Sequence, residues 1–351
     1  MDISDSTEVV PVSPVLTTVT YELSMLVLLV PLCLLSLLGL VTNSINSVVF
    51  IKQGLTSDST TLSLFALTLS DLLGCLFMLP HPVCFYLQTL VVTDDPVIRN
   101  CLVLSTMTAT YPHIICTQIT CWITVYISVE RAICVLFPLR VKLLIQYKNT
   151  VIILVFLAVA EIACHVPFIL NCPFLWLPDP SRNTSYIVVN YQTPTGFLLY
   201  ELSNLIESSI LTSAAMFIIA MATVAIITRV QTSSAWRTAM STKKETFSKA
   251  SKTQGSSEKR ISVKDKEAVK VIASVAMLFL ACLSFSHIPG LAMYMIPQFS
   301  LDGYNKDLFH LFYTFKFNLD ALNASINFFF YVKQSTKYRQ TLFKLFYQQF
   351  N

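Results

Sequence analysis

Charge is the scarcest property of this chain. Asp, Glu, Lys and Arg make up 13% of its 351 residues, against 54% hydrophobic ones, whereas a soluble domain carries about 25% charge. That deficit excludes an ordinary water-soluble globule. The stretch from Leu102 to Val129 has no Asp, Glu, Lys or Arg at all. The N-terminus carries Asp2, Asp5 and Glu8 but no basic residue, so it lacks the positive start of a cleavable signal peptide. The first apolar segment is then expected to act as its own insertion signal. No internal repeat at a fixed period is visible.

What is present is a series of apolar runs near residues 23–51, 61–90, 102–129, 149–171, 197–228, 267–297 and 308–332. Each is long enough to cross a hydrocarbon core, which takes about 20 helical residues. The expected fold is an all-α membrane protein, a seven-transmembrane helix bundle over 23–332. It is preceded by an extracellular N-terminus, 1–22, and interrupted by a flexible cytoplasmic loop, 231–266, rich in Ser, Thr and Lys. Residues 333–351 follow, with Tyr338, Leu342, Phe343, Leu345 and Phe346 set among basic residues. This pattern reads as an amphipathic interfacial helix and short tail. No cysteine follows Tyr331, so a palmitoyl anchor is not expected there.

With the N-terminus outside, 20 of the 24 Lys and Arg fall on the inner side, as the positive-inside rule requires. The net charge of +4 therefore describes a cytoplasmic face suited to anionic membrane lipids, not to nucleic acid. The expected location is the plasma membrane, as a multi-pass protein. Asn183-Thr-Ser185 is a glycosylation sequon on the outer side, and the run Tyr186 to Tyr191 after it is β-prone.

Several polar residues stand where they are costly. Asp71 lies near mid-membrane, so it is protonated, paired, or holding a cation. Glu130 and Arg131 stand side by side where the third run ends. Lys316 and Asp320 lie four apart on one helix face and either pair with each other or meet a charged ligand group. His287 either senses pH or binds a polar ligand, or is a hydrogen-bonded structural histidine.

Gly39-Leu-Val-Thr-Asn43, Leu67-Thr-Leu-Ser-Asp71, Glu130-Arg131-Ala132 with Pro138-Leu139, Ser286-His287-Ile288-Pro289 and Asn323-Ala-Ser-Ile-Asn327-Phe-Phe-Phe-Tyr331 follow one another on successive spans. In order and position this set resembles the signatures of rhodopsin-like G-protein-coupled receptors over about residues 23–346. Within that family the chain looks most like invertebrate chemosensory receptors, especially the molluscan expansion, with peptide receptors second.

The resemblance implies a receptor, not an enzyme, passing a signal from an extracellular ligand to a heterotrimeric G protein. It implies a G-protein switch at Glu130, Arg131, Pro138 and Tyr331. It implies a polar network at Asn43, Asp71, Thr120, Asn323 and Asn327 able to hold a sodium ion at Asp71, with no other cofactor. An activation toggle falls at His287 and Pro289, and an extracellular disulfide at Cys101 and Cys172. The ligand, a chemosensory small molecule or a neuropeptide, is expected between the third, fifth, sixth and seventh spans, near His113, Glu201, Tyr294, Lys316 and Asp320. His113 stands where amine receptors carry an aspartate, which argues against an amine.

Of the chain's departures from the family, three bear on the alternative reading. Ala132 replaces an aromatic, His287 a tryptophan, and Phe328 a proline. These make a non-signalling decoy receptor the alternative. The membrane acids Asp71, Glu161, Glu207 and Asp320 leave an ion-path transporter or channel as a third reading.

Overall fold

A computed structural model of the chain describes residues 18–90, 95–137, 145–180, 184–189, 193–247, 263–296, 298–299 and 303–349. Among these, seven long helical stretches form a bundle. Spans 1 to 4 are Thr18–Gln53, Ser59–Leu90, Pro96–Leu136 and Tyr147–Leu170. Span 5 runs from Pro194 to Phe247 in three consecutive segments, and spans 6 and 7 are Val263–Met295 and Lys306–Gln334. A short helix, Thr336–Gln349, follows. Six of the seven are long and apolar enough to cross a membrane. Span 7 is the exception because it carries Lys316 and Asp320 within its length.

Local sequence explains the boundaries. Gly54 ends span 1 at φ +89°, a conformation glycine adopts without strain, and its N–H donates to the Ile51 carbonyl at 3.1 Å. Asp58 then caps span 2 by accepting from the Thr61 N–H at 2.6 Å. Span 2 is interrupted between Met78 and Pro80, where proline removes a backbone donor. Asp95 caps span 3, with Pro96 as its first helical residue. Spans 3 and 5 each contain a π-helical stretch, Thr106–Thr110 and Asn204–Leu211.

The helix of span 5 continues to Phe247, well past the expected end at 228. The segment from Gln231 to Phe247 contains neither glycine nor proline, so nothing local stops it. The expected loop 231–266 is therefore helical at both ends, and residues 248–262 lie outside the described ones. Between spans 4 and 5, strand β1 (Phe174–Asp179) pairs antiparallel with β2 (Thr184–Val189), Phe174 opposite Val189. The Ile187 N–H in β2 donates to Asn100 Oδ1 at 2.9 Å, which fixes the hairpin to the start of span 3.

The core divides by level. At the hairpin end, Leu29, Leu32, Met78, Phe85 and Phe317 pack spans 1, 2 and 7. Spans 3, 5 and 6 meet at Val125, Ile219, Ala276 and Phe279. At the far end Phe50, Tyr331, Tyr338 and Leu342 join spans 1 and 7 to the short final helix. Gly39 allows spans 1, 2 and 7 to approach closely, since a Cβ there would collide with Cys75 Sγ and press on Ser325 Oγ at 3.1 Å. Much of the outer surface is apolar, as at Val27, Val155, Phe156 and Phe217, which is the surface a bilayer would cover.

One expected pairing is corrected. Cys101 is bonded to Cys84, not to Cys172, which is a buried free thiol. Cys101 lies thirty residues before Arg131, and the helix extends back to Pro96. That length places Cys101 beside the Pro80–Leu90 end of span 2. Burial pushes the Cys172 thiol up to about 11, so it is held in its unreactive protonated form.

Candidate functional site

Three layers of polar residues are stacked along the bundle. At the hairpin end a cavity of about 240 Å³ is lined by Tyr21, His81, Tyr111, His165, Glu207 and His310, among others. These residues come from spans 1, 2, 3, 4, 5 and 7. Of the residues expected to line the ligand site, His113, Glu201, Tyr294, Lys316 and Asp320, none is on this wall. Glu201 and Tyr294 are exposed, and the Tyr294 hydroxyl donates to the Glu201 carbonyl at 3.2 Å. They lie too far around the helices to face the interior.

His113, Lys316 and Asp320 sit deeper, around two small cavities of about 20 and 30 Å³. Lys316 Nζ donates to Asp320 Oδ2 at 2.7 Å, so the two charges satisfy each other across one helical turn. The Ser286 hydroxyl adds a bond to Asp320 Oδ1 at 3.3 Å. His113 Nδ1 donates to the Gly74 carbonyl at 2.8 Å, and its Nε2 faces Asp320 Oδ2 at 4.0 Å. His287 is tied to Ser213 of span 5 through Nε2 at 2.9 Å, two residues before the interior proline Pro289.

The middle layer centres on Asp71. Thr120 Oγ1 donates to Asp71 Oδ1 at 2.8 Å and Asn327 Nδ2 to Asp71 Oδ2 at 3.0 Å, joining spans 2, 3 and 7. Asn43 does not reach the carboxylate. Its amide donates to the Ala324 carbonyl at 3.0 Å and holds span 1 to span 7. Asn323 borders the same cavity of about 20 Å³ as Asp71 and Thr120, and its Oδ1 accepts no hydrogen bond. A space of that size admits one water or small ion. A carboxylate, a hydroxyl and an unpaired amide oxygen around it fit a hard cation such as sodium.

The far layer holds Arg131. Its Nη2 lies 3.7 Å from Glu130 Oε1, and the Ser59 hydroxyl occupies that same oxygen at 2.6 Å. Arg131 Nε and Nη2 make no hydrogen bond although the side chain is only 14% exposed. Next to it, Ala132 packs on Ala222 and Ile226 of span 5, where its small side chain permits close helix contact. Tyr331 is buried edge-on to Phe50 at 5.4 Å, its hydroxyl unbonded. Phe328 extends this aromatic group to Tyr338 at 6.3 Å, and the Tyr338 hydroxyl donates to Asn46 Oδ1 at 2.5 Å. Pro138 of the expected switch and Asn183 of the sequon lie outside the described residues.

Sequence reasoning missed His81, His165 and His310 in the cavity wall, and placed Glu207 only among the membrane acids of an ion path. A signal was available. Glu161 and His165 are an ionisable pair four residues apart inside an apolar span, and such residues face the bundle interior.

No curated protein matches the chain. A family model described as serpentine type 7TM GPCR chemoreceptor Srx matches residues 33–266. That match runs from within span 1 through span 5, with the buried Asp71, the Glu130-Arg131 pair and the hairpin, and the chain belongs to this serpentine seven-transmembrane chemoreceptor family.

Proposed function

We propose that the protein is a plasma-membrane receptor whose N-terminus and hairpin face outward, and whose Arg131 end engages a heterotrimeric G protein. The observation that carries this reading lies on span 3. At one end its residues Thr106, Thr110 and Tyr111 line a partly open, mainly apolar cavity that also holds several polar groups. At the other, Arg131 is part-buried, with its Nε and Nη2 making no hydrogen bond. A ligand filling the cavity bears on the same helix that presents the arginine. A cavity of about 240 Å³ is smaller than the roughly 300–1,000 Å³ of drug-sized sites, which favours a small chemosensory molecule over a neuropeptide.

The middle layer links the two ends. When bound, a sodium ion would supply a positive charge beside Asp71, held by Asp71 and Thr120 with Asn323 completing the set. Exchange of the Asp71 bonds to Thr120 and Asn327 would shift span 7 relative to span 3. At the inner face the basic residues of the last helix, Lys337, Arg339 and Lys344, would rest against anionic lipid headgroups.

The test is nucleotide exchange on a promiscuous G protein, in cells expressing the receptor and screened with a panel of small polar and aromatic odorants. Ligand-dependent exchange that Arg131→Ala abolishes at unchanged surface expression is the expected result. Saturable binding without exchange would overturn the coupling and identify a decoy. Solute flux without exchange would overturn the receptor reading itself.

A further inference from the structure

We infer that Glu161, His165 and Glu207 form a binding site for a divalent transition-metal ion of the zinc class, set in the wall of the ligand cavity. One ligand atom from each lies within 4.8 Å of the others, and all three residues are about 95% buried. Glu161 and His165 are four apart and so share one face of span 4. Glu207 comes from the π-helical stretch of span 5, a departure from α geometry that recurs at functional sites.

The hydrogen bonds define what the imidazole can do. His165 Nδ1 lies 3.0 Å from the Glu161 backbone carbonyl. A carbonyl can only accept, so Nδ1 carries the proton, as a metal-bound histidine requires of its second nitrogen. In the neutral ring Nε2 is then a bare lone pair. It stands 2.7 Å from Glu207 Oε2, a distance that two acceptors hold by sharing a proton; a metal ion, with bonds of about 2 Å to each, would replace that proton and move the two atoms slightly apart.

A proton leaves the cluster incomplete. His165 and Glu207 would then form an ion pair, with Glu161 beside it. The Glu161 side chain is hydrogen-bonded by Trp122, yet its Oε2 is buried and bonds to nothing. An ionised Glu161 would leave net negative charge in a medium where charge is expensive. A divalent ion bound by two carboxylates and one neutral imidazole makes the group electrically neutral and satisfies the orphaned oxygen. One nitrogen with two oxygens suits zinc and related ions better than magnesium or calcium, which prefer oxygen alone. Three protein ligands leave a coordination position open. His165 and Glu207 line the cavity, so the ion can enter from there and the open position faces whatever the cavity holds.

The test needs no G protein and so stands apart from the receptor assignment. Metal-stripped receptor in lipid nanodiscs is titrated with Zn²⁺, and separately with Mg²⁺ and Ca²⁺, while thermal unfolding and competition with a zinc-chelating dye are followed. The expected result is one zinc ion per receptor, a raised unfolding temperature, and no such response to Mg²⁺ or Ca²⁺. Glu161→Gln and His165→Ala should each weaken zinc binding by at least the about 10–100-fold that loss of a metal-supporting group costs. Unfolding without zinc reports whether each variant still folds, and Glu161→Gln preserves the side chain's shape. His81→Ala, elsewhere in the cavity wall, should leave binding unchanged. Zinc binding that survives in both Glu161→Gln and His165→Ala, or that is lost instead in His81→Ala, would overturn the assignment. So would an unfolding temperature indifferent to zinc.

Discussion

In the middle of the bundle, each oxygen of Asp71 accepts one short hydrogen bond, from Thr120 and from Asn327. At the far end of span 3, Arg131 meets its neighbouring acid at 3.7 Å, and two of its nitrogens bond to nothing. Both groups are largely shielded from water, yet both oxygens of one have a partner and two nitrogens of the other have none. An unmet buried donor costs about 1–3 kcal/mol, so the far end stores the readiness to rearrange that the middle lacks. The contrast teaches that the same bundle can be held firmly at one level and lightly at another. The restraint on Arg131 is further shared out, because Ser59 competes for the Glu130 oxygen that the arginine would use.

The largest effect should come from loosening the firm layer. Gly39→Val places methyl groups against Cys75 and Ser325, and overpacking of this kind costs about 1–3 kcal/mol. The unfolding temperature of the purified receptor should fall clearly; an unchanged value would mean that spans 1, 2 and 7 are not closely packed at that level. Next, Asp71→Asn replaces an acceptor of two bonds with an amide that must turn a donor toward Thr120 or Asn327. A loss of about 1–3 kcal/mol is expected. Any stabilisation of the wild type by sodium chloride over choline chloride should vanish in this variant, and its survival would remove Asp71 from ion binding.

The light layer gives a smaller and opposite response. Ser59→Ala frees Glu130 Oε1 for Arg131, which should tighten the pair by about 1 kcal/mol and lower basal nucleotide exchange roughly fivefold. Unchanged or higher basal exchange would show that Ser59 does not compete with the arginine.

The smallest effect lies at the membrane edge, in Asp58. Burial alone would raise its carboxyl, but the Thr61 N–H and hydroxyl and the Lys337 ammonium outweigh that and hold it below the ordinary range. Because the folded value lies below the unfolded one, about 3.9, the stabilisation is present above that pH and is lost as pH falls through the folded value. Lys337 is 56% exposed and 3.3 Å away, so Lys337→Ala should cost no more than about 0.5 kcal/mol. Asp58→Asn should keep the cap and flatten the acid side of the stability curve. A curve that stays as steep in Asp58→Asn would assign the acid dependence to another group.

The seven helices were legible because a bilayer demands about 20 apolar residues per crossing, and that demand is written into the residues one span at a time. The ends of span 5 were less so, since polar residues between 231 and 247 look alike in a loop and in a solvated helix. The candidate site was legible where one residue points to a partner by cost alone, as with Asp71, or by spacing, as with Lys316 and Asp320. Contacts that depend on helix rotation were hidden. Asn43 turns to the Ala324 carbonyl instead of Asp71, Glu201 faces outward, and Glu207 faces inward from a π-helical turn that no spacing rule anticipates. The disulfide was misassigned because a helix starting earlier than expected carries Cys101 past the hairpin and toward span 2.

That bridge has a topological consequence. Cys84 and Cys101 flank only the connection between spans 2 and 3. A protease site introduced at residues 91–94 should yield two fragments that migrate together on a denaturing gel until reductant is added. The same site at residues 138–144 should release separate N- and C-terminal pieces without any reductant, whereas a Cys101 to Cys172 link would have kept them joined.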